Sequence, residues 1–556
     1  MSHYDHRKYK PFAPIALKDR TWPDRVITRA PTWCSVDLRD GNQALIEPMS
    51  VAQKKLMFGL LVDIGFKEIE IGFPAASQPD FDFVRHLIDE NKIPDDVTVQ
   101  VLTQARPELI QRTFEALKGV RRAIVHLYNS TSVVQREKVF KLDKAGIKTI
   151  AVKGAQEVLR CSKLAPGTDW YFQYSPESFT GTEVEYAVEV CQAVSDVWQP
   201  TPAHKVILNL PATVEMATPN VYADQIELFC RLLKGRENHI ISLHTHNDRG
   251  TGVAASELGL MAGADRIEGC LLGNGERTGN LDVVTMAMNL YSQGIDPMLD
   301  FSDMDRVTSV VKQCTQIDVH PRHPYAGSLV FTAFSGSHQD AIKKCLDLYQ
   351  EGETWEIAYL PIDPRDVGRT YQDVIRVNSQ SGKGGVAYVM SSKYGFELPR
   401  WLQIEFSRVV QKEAEDSGLE VSPERIFQLF QQSYLQPALP LTLTSFSIEK
   451  SDKERIKGEI ELDGKRFHVE GQGNGMLSAF VDAMQTTFGL QLQILEYGEH
   501  ALSQSANAEA VTYLQLKHEG QRFTGIAIDK DIVTSSVNAL LHAVSQVLHN
   551  QRQKAA

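Results

Sequence analysis

The run Thr32-Trp33-Cys34-Ser35-Val36-Asp37-Leu38 leads directly into Arg39-Asp40-Gly41-Asn42-Gln43, and the way this first apolar run ends decides between two folds. A β-branched run followed by a turn and a helix opens either a doubly wound sheet or a closed barrel. The doubly wound sheet needs a glycine-rich turn after its first strand, so that backbone can approach a pyrophosphate. Arg39 to Gln43 contains a single glycine between charged and amide side chains, which is no dinucleotide fingerprint. The following segment starts with the capping-box pattern Ser50-Val51-Ala52-Gln53 and continues with Leu56, Leu60, Leu61 and Ile64 at helical spacing. Seven further runs follow the same logic: Glu68 to Ile71, Thr98 to Thr103, Ala123 to Tyr128, Tyr171 to Ser175, Lys205 to Asn209, Ile240 to Thr245 and Asp265 to Cys270. Helical patterns separate them, which implies parallel crossovers. Eight such units between residues 32 and about 285 predict a TIM (β/α)8 barrel.

The chain outgrows one barrel. At 556 residues it needs at least one further core. Residues 1–30 read as an N-terminal extension, 31–305 as the barrel, and 306–436 as a mixed helical linker region with Pro/Gly-rich loops. Residues 437–556 read as an α+β domain, because Thr442 to Ile448 alternates as a strand and Glu461 to Arg466 is a hairpin signal. This last domain contains an internal repeat: Gly464-Lys465-Arg466-Phe467 matches Gly520-Gln521-Arg522-Phe523, and Val481-Asp482-Ala483 matches Val537-Asn538-Ala539 at the same offset. Only the first copy enters its helix through glycines, Gly471-Gln472-Gly473-Asn474-Gly475, where free N–H groups could receive a carboxylate.

Several function classes are excluded by composition. A net charge of −12 repels a phosphate backbone, and no basic stripe offsets it, so nucleic acid is not an expected partner. The 7 cysteines are scattered without a C-x-x-C pair, which fits reduced thiols. Neither an N-terminal apolar leader nor a membrane-length apolar window is present, so a cytoplasmic protein without membrane contact is expected.

The chemistry concentrates at the ends of three strands. His244-Thr245-His246 closes the seventh run, and residues two apart on a strand face the same way, so both imidazoles can reach one ion. In a closed barrel the eighth strand lies beside both the seventh and the first. The loop after it, Gly273-Asn274-Gly275-Glu276-Arg277-Thr278-Gly279-Asn280, and Asp40 after the first strand can therefore add an amide oxygen and a carboxylate to the histidines. Such a mixed N/O set suits Mg, Mn, Co or Zn without choosing among them.

These same segments resemble motifs of the acyl-CoA-dependent Claisen-type synthases: Leu38 to Gln43, His244-Thr245-His246-Asn247-Asp248, and Gly273 to Asn280. The resemblance runs on through Ser175-Pro176-Glu177-Ser178, Phe334 to Asp340 and Asn378 to Gly385 into the C-terminal Gly473-Asn474-Gly475. It implies a pyruvate carboxyltransferase-like barrel that joins acetyl-CoA to a 2-oxo acid and then hydrolyses the thioester. The likeness is greatest to the branch of leucine biosynthesis, whose acceptor is 2-oxoisovalerate and whose C-terminal domain senses leucine. By resemblance, Asp40, His244, His246 and Asn280 ligate a divalent metal, Mg above all. Arg39 stabilises the developing oxyanion, Gln43 and Thr213 join it in binding the oxo acid, and Glu177, His338 and Tyr371 serve proton transfer. Ser381, Gly382, Lys383 and Gly384 form a candidate loop for CoA; this stretch is not a phosphate-binding P-loop, since no Ser or Thr follows the lysine. Gly473, Asn474 and Gly475 become the candidate leucine site, and a homodimer is implied. The alternatives are a homocitrate or citramalate synthase of the same superfamily, a catalytically silent amino-acid sensor, or a metal-dependent lyase running the reverse cleavage.

Overall fold

Each of the eight runs forms a strand. A computed structural model of the chain describes residues 4–369, 383–417, 420–436, 441–450, 452–502 and 508–555. Two compact units emerge, Met1–Val330 with Pro364–Arg369, and Phe331–Asp363 with Thr370–Ala556.

In the first unit, β1 (Thr32–Ser35), β2 (Glu68–Glu70), β3 (Thr98–Gln104), β4 (Arg122–Ser130), β5 (Asp169–Glu177), β6 (Val206–Ala212), β7 (His239–Thr245) and β8 (Arg266–Gly269) pair in chain order as a closed barrel. Closure is by β8 against β1, in the register Trp33↔Ile267 and Cys34↔Glu268. The capping box is realised at the helix Val51–Ile64, where the Gln53 amide N–H donates to Ser50 Oγ and the Ser50 N–H donates to Gln53 Oε1 at 2.9 Å. That helix stops at Gly65, whose φ of 111° a side chain would strain. The N-terminal extension is fastened to the helix Pro219–Leu232: Arg20 bonds both oxygens of Asp224 at 2.6 and 2.7 Å, and buried Trp22 donates to the same carboxylate.

Among the strands whose bounds differ from the expected runs, β1 and β5 matter most for the site. Strand β1 stops at Ser35 rather than continuing to Leu38, because Asp37–Gly41 winds into a single π-helical turn. Buried Asp37 anchors this turn by accepting the Leu271 N–H from the β8 side. Arg39 and Asp40 thus stand on a turn above the strand end. Strand β5 continues past Ser175 to Glu177, paired with Ser130 of β4, so Glu177 is the last residue of the strand and does not follow it.

The second unit holds the helices Gly336–Leu348, Lys383–Tyr394, Arg400–Ser417 and Pro423–Phe430 and two three-stranded antiparallel sheets. One sheet has β10 (Glu454–Leu462) between β9 (Leu441–Lys450) and β11 (Lys465–Gly473); the other has β13 (Ala510–His518) between β12 (Gln493–Ala501) and β14 (Gln521–Asp529). The internal repeat is plain in the starting residues. Glu454 and Ala510, Lys465 and Gln521, and the first residues of the two following helices, Met476 and Ile532, each lie 56 residues apart. Both hairpins turn on two left-handed residues, Asp463-Gly464 and Glu519-Gly520, the geometry that a two-residue turn between twisted strands demands. The two copies share one core, with Ile456, Phe480 and Met484 from the first and Leu514, Leu540 and Val544 from the second. A second cluster joins the linker helices, through Phe406 and Phe430, to Val511, Tyr513 and Ile526 of β13 and β14.

From Lys383 the glycine-rich stretch read as a loop is helical. The physical reason is close packing: a Cβ on Gly385 would lie 2.2 Å from Gln339 Oε1, so the glycine lets this helix approach Gly336–Leu348. Among the described residues no helix is long and apolar enough to cross a membrane, and all 7 cysteines are free thiols.

Candidate active site

Asp40, His244 and His246 converge at the C-terminal end of the barrel, where the strand ends in this fold place chemistry. One ligand atom from each lies within 4.8 Å of the others. Asp40 Oδ2 is 3.2 Å from His244 Nε2 and 3.5 Å from His246 Nε2. Asn280, in the loop after β8, is held against His246 by a backbone bridge. Its Nδ2 donates to the Asn274 carbonyl at 3.1 Å and to Cys270 Sγ at 3.3 Å, which leaves Oδ1 unengaged. Asp40 Oδ2, His246 Nε2 and Asn280 Oδ1 are all buried without a hydrogen-bond partner. Buried polar atoms are rarely left so, and a carboxylate, an imidazole and an amide oxygen are donors that suit a divalent cation. The residues therefore fit such an ion.

The surrounding charges act strongly on these groups. Burial would raise the carboxyl of Asp40, but Arg39 and the two histidines hold it well below the usual range. Burial would lower His244, but the carboxylates of Asp40 and Glu268 beside its two ring nitrogens raise it to about 9. Arg39 bridges two carboxylates, donating from Nε to Glu70 Oε2 at 2.5 Å and from Nη1 to Asp40 Oδ1 at 2.6 Å. Glu70 in turn meets His126 Nδ1 at 2.7 Å, and His126 Nε2 meets Ser175 Oγ at 2.7 Å. Beside these groups opens a cavity of about 300 Å³. Its lining combines Arg39, Asp40, His244 and His246 with the largely apolar Phe73, Leu102, Tyr128 and Pro211.

Three family models match the chain in succession. Residues 30–311 match the HMGL-like family, 328–391 the alpha-isopropylmalate synthase post-catalytic domain-like family, and 420–548 the LeuA allosteric (dimerisation) domain. The 2-isopropylmalate synthase of Pseudomonas entomophila is 57% identical over 99% of this chain and 99% of its own. That of Pseudomonas putida strain W619 is 56% identical with the same coverage, and that of Azotobacter vinelandii 56% identical over 98% of both chains. The chain belongs to the 2-isopropylmalate synthase family.

In this 2-isopropylmalate synthase family member, the residues singled out on the barrel come together in the first unit. Gln43, Glu177 and Thr213 line the same cavity as Arg39, Asp40 and the histidines. Glu177 bonds Ser130 Oγ through its carboxylate, and Thr213 Oγ1 accepts the Ser178 N–H at 2.9 Å. His338 belongs to the second unit, on the helix Gly336–Leu348, with its ring stacked on Tyr359 at 3.9 Å. Tyr371, Ser381 and Gly382 lie outside the described residues, as does the side chain of Lys383. Gly384 stands in the first turn of the helix Lys383–Tyr394. Gly473 ends β11 and Gly475 caps the next helix; a Cβ on Gly473 would fall 2.6 Å from the Ala479 nitrogen, so helix and strand touch there.

Sequence reasoning passed over the polar interior of the barrel: Glu70, Gln100, His126, Gln173, Asn209, Arg266 and Glu268 are all buried and hydrogen-bonded to one another. A signal was present. Strands buried on both faces normally read as unbroken apolar runs, whereas six of these eight carry a carboxylate, amide, imidazole or guanidinium in mid-strand.

Proposed function

We propose that the chain condenses acetyl-CoA with 2-oxoisovalerate and hydrolyses the thioester to give 2-isopropylmalate and CoA, the committed step of leucine biosynthesis. The observation that carries this reading is full-length kinship: identity to 2-isopropylmalate synthases extends over 99% of the chain, through barrel, linker and C-terminal repeat alike. The apolar surface that Phe73, Leu102, Tyr128 and Pro211 add to the cavity lining favours a branched hydrocarbon acceptor over the second carboxylate of 2-oxoglutarate. Among the described residues that line the cavity, the other guanidinium, that of Arg277, is already engaged by Asp248 at 2.6 Å.

In this reading Asp40, His244, His246 and Asn280 hold a divalent ion, with Mg the cellular choice and Mn, Co or Zn substitutes. When bound, the ion supplies Lewis acidity at the ketone of the acceptor. Arg39, rigidly pinned by Glu70 and Asp40, presents a permanent charge to the oxygen on which negative charge develops. Thr213 and Gln43 orient the oxo acid. The acetyl methyl proton passes to a base among Glu177, His338 and Tyr371, of which Glu177 lines the cavity. Residues Ser381 to Gly384 receive CoA, Gly473 to Gly475 receive leucine as an inhibitor, and the active form is a cytoplasmic homodimer. Binding of leucine in the C-terminal domain acts by favouring one of two conformations of the whole molecule.

The test is CoA release followed with a thiol reagent. Turnover with acetyl-CoA and 2-oxoisovalerate is expected to vanish on chelation and to return with Mg or Mn, while His246→Ala stays inactive at any metal concentration tried. Full activity of metal-stripped enzyme, or of His246→Ala, would contradict the assignment.

A further inference from the structure

We infer that Glu268 is a positioning residue of the metal site: it fixes the tautomer and aim of His244 and thereby sets how tightly the ion is held. This rests on the reading above that His244 is a metal ligand. Glu268 sits on β8, wholly buried, and is the register partner of His244 on β7. Its Oε1 accepts from Arg266 Nη1 at 2.7 Å, Gln173 Nε2 at 2.7 Å and Gln100 Nε2 at 3.2 Å. Its Oε2 accepts from Asn209 Nδ2 at 3.2 Å and lies 3.0 Å from His244 Nδ1. Four donors from four strands thus lock the carboxylate in place.

The consequence for His244 follows from valence. An ionised carboxylate can only accept, so Nδ1 carries a proton in either charge state of the ring, and the nitrogen free to give up its proton to a metal is Nε2, which faces Asp40 Oδ2. The neighbouring histidine is set differently. His246 Nδ1 faces the Ala212 carbonyl at 3.4 Å, a longer contact with a neutral group. A charged acceptor makes the imidazole it holds a stronger donor to a metal than a peptide carbonyl does, so His244 anchors the ion and His246 completes the site. Arg266 is not left unpaired when Glu268 is neutralised, because its Nε also bonds Glu68 at 2.5 Å.

The experiment titrates Mn2+ into full-length protein, reading free ion by electron paramagnetic resonance. Glu268→Gln is expected to weaken Mn2+ binding by about 10- to 100-fold. Gln173→Met removes a donor from the far oxygen only and is expected to bind as the wild type does. Unchanged affinity in Glu268→Gln overturns the inference, and so does an equal loss in Gln173→Met, which would make the network a strut. His246→Ala separates the two levels: if it too binds Mn2+ like the wild type, the metal-site reading falls and the inference with it. Should Glu268→Gln fail to fold, the wild-type protein decides. With Zn2+ bound and histidine labelled with 15N, the His244 resonance, assigned by its loss in His244→Asn, is expected to show a protonated, downfield-shifted Nδ1; protonation at Nε2 overturns the inference.

Discussion

Arg39 has two carboxylates to satisfy at once, Glu70 Oε2 from Nε and Asp40 Oδ1 from Nη1, and only a planar fork does both. Burial would lower its basicity, but Asp40 and Glu70 more than offset that, and the guanidinium stays charged. Arg39→Lys keeps the charge but cannot span both partners. Its kcat for CoA release is expected to fall by about 10²–10³-fold, the usual loss for an oxyanion donor, with a smaller change in the KM for the oxo acid. A kcat within a few-fold of wild type would remove Arg39 from the reaction. At this scale the sequence pointed to the residues that strand order brings near one another: His244 and His246 two apart on β7, Asn280 after β8, and Asp40 after β1 on the far side of β8. Glu70, His126 and Glu268 were hidden, because which mid-strand side chain faces its neighbour depends on the register, here His244 against Glu268, and register is not written in a single strand.

The loop after β4 shows how an element at the barrel mouth is held. Its π-helical turn Gln135–Phe140 hangs on Arg136, which donates from Nη1 to the Thr131 carbonyl at 2.6 Å and grips both oxygens of Glu183 at 2.9 Å. Partial burial would raise the Glu183 carboxyl, but Arg136 and Lys144 pull it from its ordinary 4.5 to about 2. A carboxyl depressed by folding stabilises the native state above its unfolded value and loses that contribution as pH falls toward the folded one. The apparent melting midpoint of the wild type is therefore expected to drop more steeply between pH 4.5 and 2 than that of Glu183→Gln, with the two curves closest at the acid end. Parallel curves over this window would show that the pair contributes nothing measurable. Among elements, those with a local signature were legible: the capping box at Ser50 and the Asp463-Gly464 hairpin both formed as read. The π-turn at Asp37 was not, because its cause is a hydrogen bond to Leu271, far along the chain. The helix from Lys383 was not either, because a glycine pair that permits close helix contact reads the same as one that permits a turn.

The molecule as a whole is organised by its cores. The linker helices do not form a separate body, since Phe406, Phe430 and Tyr434 share a cluster with Val511, Tyr513 and Ile526 of the C-terminal sheet. Each such side chain is worth about 1.5–3 kcal/mol of burial. A chain ending at residue 436 is therefore expected to keep the barrel protected from amide hydrogen exchange while residues 383–435 exchange freely; protected linker helices in that fragment would refute the shared core. The barrel was legible from eight alternating units, and the C-terminal repeat from its constant spacing of 56 residues, since both are periodic. The fusion of linker and repeat into one core was not, as it depends on which face of each sheet is left uncovered. The central claim concerns chemistry, namely that the cavity lined in part by Phe73, Leu102 and Tyr128 takes a branched oxo acid. Its most direct test is a comparison of kcat/KM for 2-oxoisovalerate, pyruvate and 2-oxoglutarate at saturating acetyl-CoA and Mg. The account predicts that 2-oxoisovalerate leads pyruvate by about tenfold or more, as two buried methyl groups allow, with 2-oxoglutarate behind both. A lead for pyruvate or 2-oxoglutarate would contradict it.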